Sequence, residues 1–399
     1  MKKVVIIIVV LGLLISGYLY KVYQDNVSKE KVITLINSKN KKEVITINDT
    51  KVYEFKDNNY TEVMTIYKDN IIKLDTNIEI NENTLYLKLL DKNYYISYND
   101  VVESSLKETK PLIDYSNLVP FNTIVTGNNI TFYDNDKKLY SIKEYLELPI
   151  IKKKDDCYYV KYNNKVLQVK KTEVTTKEST TVYKIASNIP VLNYHFFWEG
   201  VNDCNQSICL STTALKEQLE YIKAKGYYAA TMEEFYSYLL GEINLPKNTI
   251  LITIDDGWKA ELGIKMFEEY GFNHTLFLMT KFYNPNDFYS LAPNHLEIHS
   301  HTDNLHFNSH CPGGQGSPLK CYPEDLIQED LKLSREKLNN SMAFCFPFYE
   351  YNDYALDMIK KAGFSLSFIG GNRPATRDDD LYKIPRYRIA TTTNITKIL

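Results

Sequence analysis

Residues 249–258 read Thr249-Ile-Leu-Ile-Thr-Ile-Asp-Asp-Gly-Trp258. Six β-branched or apolar residues run without interruption into Asp255-Asp256-Gly257. A continuous apolar run of this kind is a strand buried on both faces, as in a parallel sheet. Parallel α/β sheets and barrels bind ligands at the carboxyl ends of their strands, and there the two acids stand. Successive side chains point to opposite sides, so one acid can hold a metal ion while the other handles protons. The same pair also suits a helix N-cap and first-turn acid.

Around this strand, the segments from residue 189 onward alternate between strand and helix. Pro190–His195, Thr275–Met279, His295–His301, Met342–Phe346, Phe364–Ile369 and Ile384–Ile389 read as strands. Between them lie helical faces. Leu215, Leu219 and Ile222 form one, closed by Gly226, and Thr231-Met-Glu-Glu234 is a capping box. Further faces are Ala260/Ile264/Phe267 before Gly271, Ile327/Leu331/Leu338 after Pro323, and Ala355/Ile359 before Gly363. Residues 189–399 are therefore an α/β domain with a parallel sheet, open or closed into a barrel.

The N-terminal half has another texture. Residues 4–20 carry no charge and follow Lys2 and Lys3. Residues 1–26 read as an uncleaved membrane signal anchor, with the lysine end in the cytoplasm and the rest of the chain outside it. A polar stalk follows at 27–50. Residues 51–171 are short alternating segments broken by Asn, Asp and Gly, which predict strands. Asp91-Lys-Asn-Tyr-Tyr-Ile-Ser-Tyr-Asn99 recurs as Asp155-Asp-Cys-Tyr-Tyr-Val-Lys-Tyr-Asn163. Two small β domains, 51–110 and 111–171, are expected from the repeat. Their Tyr-Tyr-Val-type signature resembles bacterial SH3-like wall domains. Contact with wall glycan or peptide and a spacer with cross-strand tyrosine pairs are both open. The hydroxyl-rich residues 172–188 read as a linker.

The chain has 399 residues and a net charge of −3, so no basic field argues for nucleic acid. Of the six cysteines, Cys204 with Cys209 and Cys311 with Cys321 are the plausible local disulfides, and Cys345 reads as a buried free thiol.

Five of the seven histidines fall at 295, 299, 301, 306 and 310. Clustered imidazoles with a carboxylate suit zinc or a similar first-row ion, and an incomplete shell leaves room for water and substrate. His299 and His301 share a strand face, and His306 and His310 fit one helix face. Spacing alone does not choose among them.

These motifs in order resemble the polysaccharide deacetylase family, carbohydrate esterase family 4, with its NodB homology domain. Thr253-Ile-Asp-Asp-Gly257 matches the first motif and Ser300-His-Thr-Asp-Asn-Leu-His306 the second. The step from His301 to His306 and the opening Pro-Val-Leu-Asn-Tyr-His195 are similar to the branch that deacetylates poly-N-acetylglucosamine. The resemblance implies a distorted (β/α) barrel. It implies Asp256, His301 and His306 as ligands of a divalent ion, zinc with cobalt or nickel as alternatives, and Asp255 as general base. This chain has no histidine after His310, where many relatives keep their acid. His195 is then the candidate proton donor, or a buried histidine that orients Asp255.

Phe346-Pro347-Phe348 occupies the third motif, with the Phe348 N–H a candidate oxyanion donor. Tyr349 stands where relatives have Gly, which puts the loop's shape in question. Arg386 falls where relatives place an arginine near the base, and a surface ion pair is the alternative. Trp258 either stacks on a sugar ring or packs in the core. The implied function is a membrane-anchored, metal-dependent N-deacetylase of a cell-envelope polysaccharide, peptidoglycan or poly-N-acetylglucosamine. A non-catalytic wall-glycan-binding protein, or an esterase or amidase on another acyl substrate, are the alternatives.

Overall fold

A computed structural model describes residues 43–399 except 82–83, 90–92, 98–99, 104–114, 135, 163–164 and 205. The expected membrane anchor at 1–26 lies outside the described residues. Among those described, no helix is long and apolar enough to cross a membrane. The chain divides into two compact units, one of residues 1–112 and 122–180, the other of Ile113–Phe121 and Thr181–Leu399.

In the second unit, β1 (Val191–Tyr194), β2 (Thr249–Asp256), β3 (His274–Leu278), β4 (Leu296–Ser300), β5 (Ala343–Cys345), β6 (Leu366–Phe368) and β7 (Tyr387–Arg388) form one parallel sheet. Their order is β6-β5-β4-β3-β2-β1-β7. A parallel bridge from Phe368 to Ile384, just ahead of β7, joins the two edges. The sheet thereby closes into the distorted barrel that the resemblance implied. β2 is buried at all eight positions, as its unbroken apolar run requires, and pairs with β1 on one side and β3 on the other.

The helices α1 (Thr212–Ala224), α2 (Met232–Leu239), α3 (Glu261–Tyr270), α4 (Glu324–Lys337) and α5 (Asp353–Lys361) follow their sequence signals. Ser211 caps α1, Asn352 caps α5, and the Thr231–Glu234 capping box opens α2. Two layers of core result. Leu192, Ile252, Ile254 and Leu276 pack with Leu215, Leu219, Ile264 and Phe267 outside the sheet. Val191, Leu251, Phe277, Cys345 and Phe368 belong to a second core that includes Phe235 and Tyr238 of α2. At the usual value of about 25 cal/mol per Å² of apolar surface, this double burial dominates the stability of the unit.

The first unit is antiparallel throughout its described strands. Both copies of the tyrosine repeat are strands, Tyr94–Ser97 and Cys157–Tyr162. Lys137–Ile142 pairs with Asn59–Ile66, so one path of strands runs from the first repeat into the second. Tyr67 and Ser141 hydroxyls, 2.9 Å apart, sit beside that junction. The expected linker is partly strand. Thr175–Glu178 pairs with Thr123–Gly127, and the Thr175 hydroxyl donates to the Thr126 carbonyl at 2.9 Å. The hydroxyl-rich composition that suggests a linker also supplies β-branched residues that favour a strand.

Candidate active site

The barrel strands deliver their polar residues to one rim, at their carboxyl ends. β2 breaks at Asp256, whose φ is +76°, and Gly257 follows at +99°. A Cβ at Gly257 would come within 2.7 Å of Leu278 and 3.0 Å of Tyr283, so both space and backbone require glycine there. The break sends the two acids into different surroundings.

Asp255 is buried inside the barrel against Arg386. Nη1 and Nη2 of Arg386 donate to Oδ1 and Oδ2 of Asp255, each at 2.8 Å. This is a bidentate, charge-assisted pair. Arg386 is 1% exposed, so the surface-ion-pair alternative is excluded. Burial works against the Asp255 charge, but the Arg386 guanidinium outweighs it and holds the carboxyl at about 2. Cys345 completes the enclosure, its thiol 3.3 Å from Asp255 Oδ2 and its sulfur 2.8 Å from Arg386 Nη2. As the sequence indicates, Cys345 is a free, buried thiol.

Asp256 faces the two histidines singled out by the second motif. Its Oδ1 is 3.1 Å from His301 Nε2 and 3.2 Å from His306 Nε2. One donor atom from each of the three residues falls within 4.8 Å of the others. His301 Nδ1 lies 2.8 Å from the Cys345 carbonyl, which can only accept, so Nδ1 carries the proton. The other nitrogen, Nε2, faces the carboxylate, and a contact this close calls for a positive charge, a second proton or a metal ion, between the two. Burial disfavours an imidazolium at His306, yet the Asp256 carboxylate outweighs it and raises that histidine above its ordinary value. Two imidazole nitrogens and one carboxylate oxygen fit a divalent first-row ion, with the His301 tautomer already set for ligation.

The loop carrying these histidines is held from below. Asp330 of α4 accepts from the N–H groups of Asp303 and Asn304 at 2.9 and 2.7 Å. The Ser300 and Ser334 hydroxyls meet at 2.6 Å. Thr302 takes φ +74°, a strained value for a β-branched residue. Nothing in the sequence singled out Asp330, because its partners lie on another element.

The other histidines stand apart. His299 packs against Phe277 and meets the Ser341 hydroxyl at 2.9 Å, and burial pushes its imidazole down to about 4. The helix face proposed for His306 and His310 does not form; residues 301–317 are an irregular loop, and His310 stacks on Tyr322. The disulfides Cys204–Cys209 and Cys311–Cys321 are present. The second closes this loop, and Glu350 accepts from Ser317 N–H at 3.0 Å and pairs with Lys320 at 2.7 Å.

His195, just past β1, brings Nε2 to 3.9 Å from Asp255 Oδ2. Burial pushes its imidazole down, against the pull of Asp255. Phe348 packs on His306 with ring centroids 4.5 Å apart. Phe348 and Tyr349 both adopt positive φ, +58° and +60°. Replacing the glycine of relatives thus leaves the left-handed turn in place, with strain as its cost. Trp258 is 40% exposed with its ring edge-on to Phe196, so it is not a core residue.

Residues 242–367 match the sequence model of the family described as Polysaccharide deacetylase. The chain is similar to a poly-beta-1,6-N-acetyl-D-glucosamine N-deacetylase of Staphylococcus epidermidis, 25% identical over 194 residues, spanning 44% of this chain and 66% of that relative. A protein of the same name from Staphylococcus aureus is 24% identical over 217 residues, 50% of this chain and 73% of the relative. Among solved structures, the Streptococcus pyogenes deacetylase PplD in complex with acetate aligns with a TM-score of 0.45 at 21% identity, covering 51% of this chain and 93% of that one. Within the second unit, residues 242–367 thus carry the sequence pattern of the polysaccharide deacetylase family, and the named staphylococcal relatives are N-deacetylases.

Proposed function

We propose that this protein is a metal-dependent N-deacetylase that removes acetyl groups from N-acetylated sugars of a cell-envelope polysaccharide, peptidoglycan or poly-N-acetylglucosamine. The observation that carries this reading is the division of labour at the end of β2. Asp256 meets His301 and His306, while Asp255 is held ionised by Arg386. The names of the similar staphylococcal proteins support the substrate class.

In this reading Asp256, His301 and His306 hold a divalent ion, zinc by its nitrogen-rich donor set, with cobalt or nickel as alternatives. Bound there, the ion supplies a Lewis acid for the acetamide carbonyl and lowers the pKa of water. Asp255 accepts the proton of the attacking water. Arg386 keeps that carboxylate ionised and aimed, and Cys345 closes the space behind it. The leaving amine needs a proton, and His195, across from Asp255, is its donor when in the imidazolium form, returning to the neutral ring. The Phe348 N–H faces the developing oxyanion, Pro347 fixes the turn that presents it, and Trp258 offers a ring face to the sugar.

The apolar stretch at 4–20 and the two disulfides support a protein anchored in the cell membrane with its catalytic unit outside the cytoplasm. The N-terminal strands follow the apolar stretch in the sequence, and contact with wall glycan or peptide is open to them.

The test is acetate release from N-acetylglucosamine oligomers and from peptidoglycan, with zinc, cobalt or nickel added in turn. Release that is lost in Asp255→Asn and restored to chelator-treated protein by one metal is the expected result. Metal binding without acetate from any N-acetylated glycan sinks the reading in favour of a glycan-binding role or another acyl substrate.

A further inference from the structure

Tyr349 does two unusual things at once. It holds a left-handed backbone, φ +60°, that its side chain disfavours, directly after Phe348 at +58°. Its hydroxyl also lies between two buried groups of β1 and its end, 2.6 Å from Asn193 Oδ1 and 3.2 Å from His195 Nε2. The directions of these hydrogen bonds follow from Asn193. The Asn193 Nδ2 group donates to the Tyr194 carbonyl at 3.3 Å, which turns Oδ1 toward the tyrosine. An amide oxygen only accepts, so the single phenolic proton of Tyr349 goes to Asn193. The tyrosine oxygen then has only lone pairs left for His195.

We propose that Tyr349 is a positioning residue that fixes the tautomer of His195: its hydroxyl accepts from Nε2–H, so neutral His195 carries its proton on Nε2, the ring nitrogen nearest Asp255. The catalytic consequence rests on the deacetylase reading above, in which His195 supplies a proton; the tautomer itself does not.

The opposite tautomer is unfavourable on three counts. With it, the Tyr349 proton either turns to Nε2 and leaves the Tyr349 and Asn193 oxygens 2.6 Å apart with no proton between them, or stays on Asn193 and leaves two lone pairs facing each other across 3.2 Å. Flipping the Asn193 amide to repair that contact would set its oxygen against the Tyr194 carbonyl. A proton on Nδ1 would also be stranded, because that nitrogen is buried without a hydrogen-bond partner among the described residues. A buried donor left unpaired is rarer and costlier than an unpaired acceptor. Asp255 does not compete for the Nε2 proton, since 3.9 Å is too long for a hydrogen bond. The strained turn after Pro347 is what brings the tyrosine oxygen to this place.

The experiment is a long-range nitrogen–proton correlation spectrum of the full chain labelled with nitrogen-15 histidine. It is recorded at about pH 8, above the ordinary imidazole range, with His195 assigned by its loss in His195→Gln. Wild type should show a single species protonated at Nε2. Tyr349→Phe keeps the ring and loses the hydroxyl, so it should give a mixture of tautomers. Its kcat on an N-acetylglucosamine oligomer should fall by about tenfold or more with KM unmoved. Asn193→Leu frees the phenolic proton for Nε2, so the histidine proton should move to Nδ1. Nδ1 protonation or a mixture in wild type overturns the proposal, as does an unchanged Nε2 species in both variants. The wild-type spectrum decides the first point even if a variant does not fold. Should wild type release no acetate from any glycan, the deacetylase reading fails while the tautomer is still measured.

Discussion

On the inner side of the barrel mouth, Asp255 is shut in. Both of its oxygens are taken by the two arms of Arg386, and a thiol closes the remaining space. Its neighbour Asp256 faces two imidazole nitrogens at 3.1 and 3.2 Å. The first acid has its countercharge built into the fold. The second has a place for one that must arrive from outside. Two residues joined by a peptide bond differ this much because successive strand side chains point to opposite sides and the chain turns left-handed at Asp256, where the strand ends. A base has to stay charged without a ligand, and a ligand shell has to stay short of charge; the turn separates these requirements.

The largest expected effect tests the closed side. Arg386→Met leaves the Asp255 carboxylate buried without its partner. Breaking a buried ion pair in this way costs about 3–5 kcal/mol. Urea unfolding should show that loss, while calorimetric titration of zinc into the variant should give an affinity close to wild type. If zinc binding collapses along with stability, the two sides are not separate.

The open side should respond in reverse. On the proposed metal site, His306→Ala removes one of three ligands, so zinc affinity should fall by more than the roughly 10–100-fold that orienting partners alone contribute. The zinc-free variant should unfold close to zinc-free wild type. Zinc at about a hundred times its dissociation constant should stabilise wild type by about 2.7 kcal/mol through mass action, and a chelator should remove that gain. A His306→Ala protein that unfolds early without any metal would make His306 a packing residue.

A pH dependence separates the mouth of the barrel from its floor. Glu297 lies on β4, below the histidine loop, and accepts from the Met232 N–H at 2.7 Å. Burial pushes its carboxyl up to about 7, helped by the charges of Glu234 and Glu233 and opposed by that hydrogen bond. The raised value means the folded state holds a proton that the unfolded chain releases from near its ordinary carboxylate range. Glu297 therefore contributes stability that is fully present below about 4.5 and is lost as pH rises through about 7. Glu297→Gln should remove that slope, a difference on the order of 3 kcal/mol between the ends of the window. Unfolding of both proteins at several pH values measures it, and zinc affinity should not follow the same curve.

The contrast between the two acids was only half legible in the sequence. The apolar run fixed β2 and brought both acids to a rim, because burial on two faces leaves little else for such a stretch. His301 and His306 could be told from the neighbouring histidines only through the family resemblance. Local spacing misled, since it offered a helix for His306 and His310 where a disulfide-closed loop forms. Arg386 was visible as a candidate but not as a buried one, for its partner lies far away in sequence and strand order decides the meeting. Tyr349 stands where its side chain disfavours the turn, yet it keeps the turn and adds a hydroxyl to the site. A pattern of residue types reports what each position can do, and the long-range pairings decide what each one meets.

The smallest expected effect probes how complete the enclosure of Asp255 is. Cys345 is fully buried, and burial pushes its thiol well above the ordinary range, against the pull of Arg386. In the absence of a metal ion it is therefore a neutral weak donor to Asp255. In native protein a thiol reagent should modify the half-buried Cys157 and spare Cys345, and peptide mapping after unfolding should find both labelled. Cys345→Ser keeps a donor of similar shape and should change stability by no more than about 1 kcal/mol. Cys345→Ala takes the donor away and opens a small gap behind the ion pair, so it should cost more than the serine variant. Equal behaviour of the two would mean that Arg386 alone holds the carboxylate. A larger loss in alanine would make the sulfur a third wall of the base's enclosure, on the side where the fold supplies every partner itself.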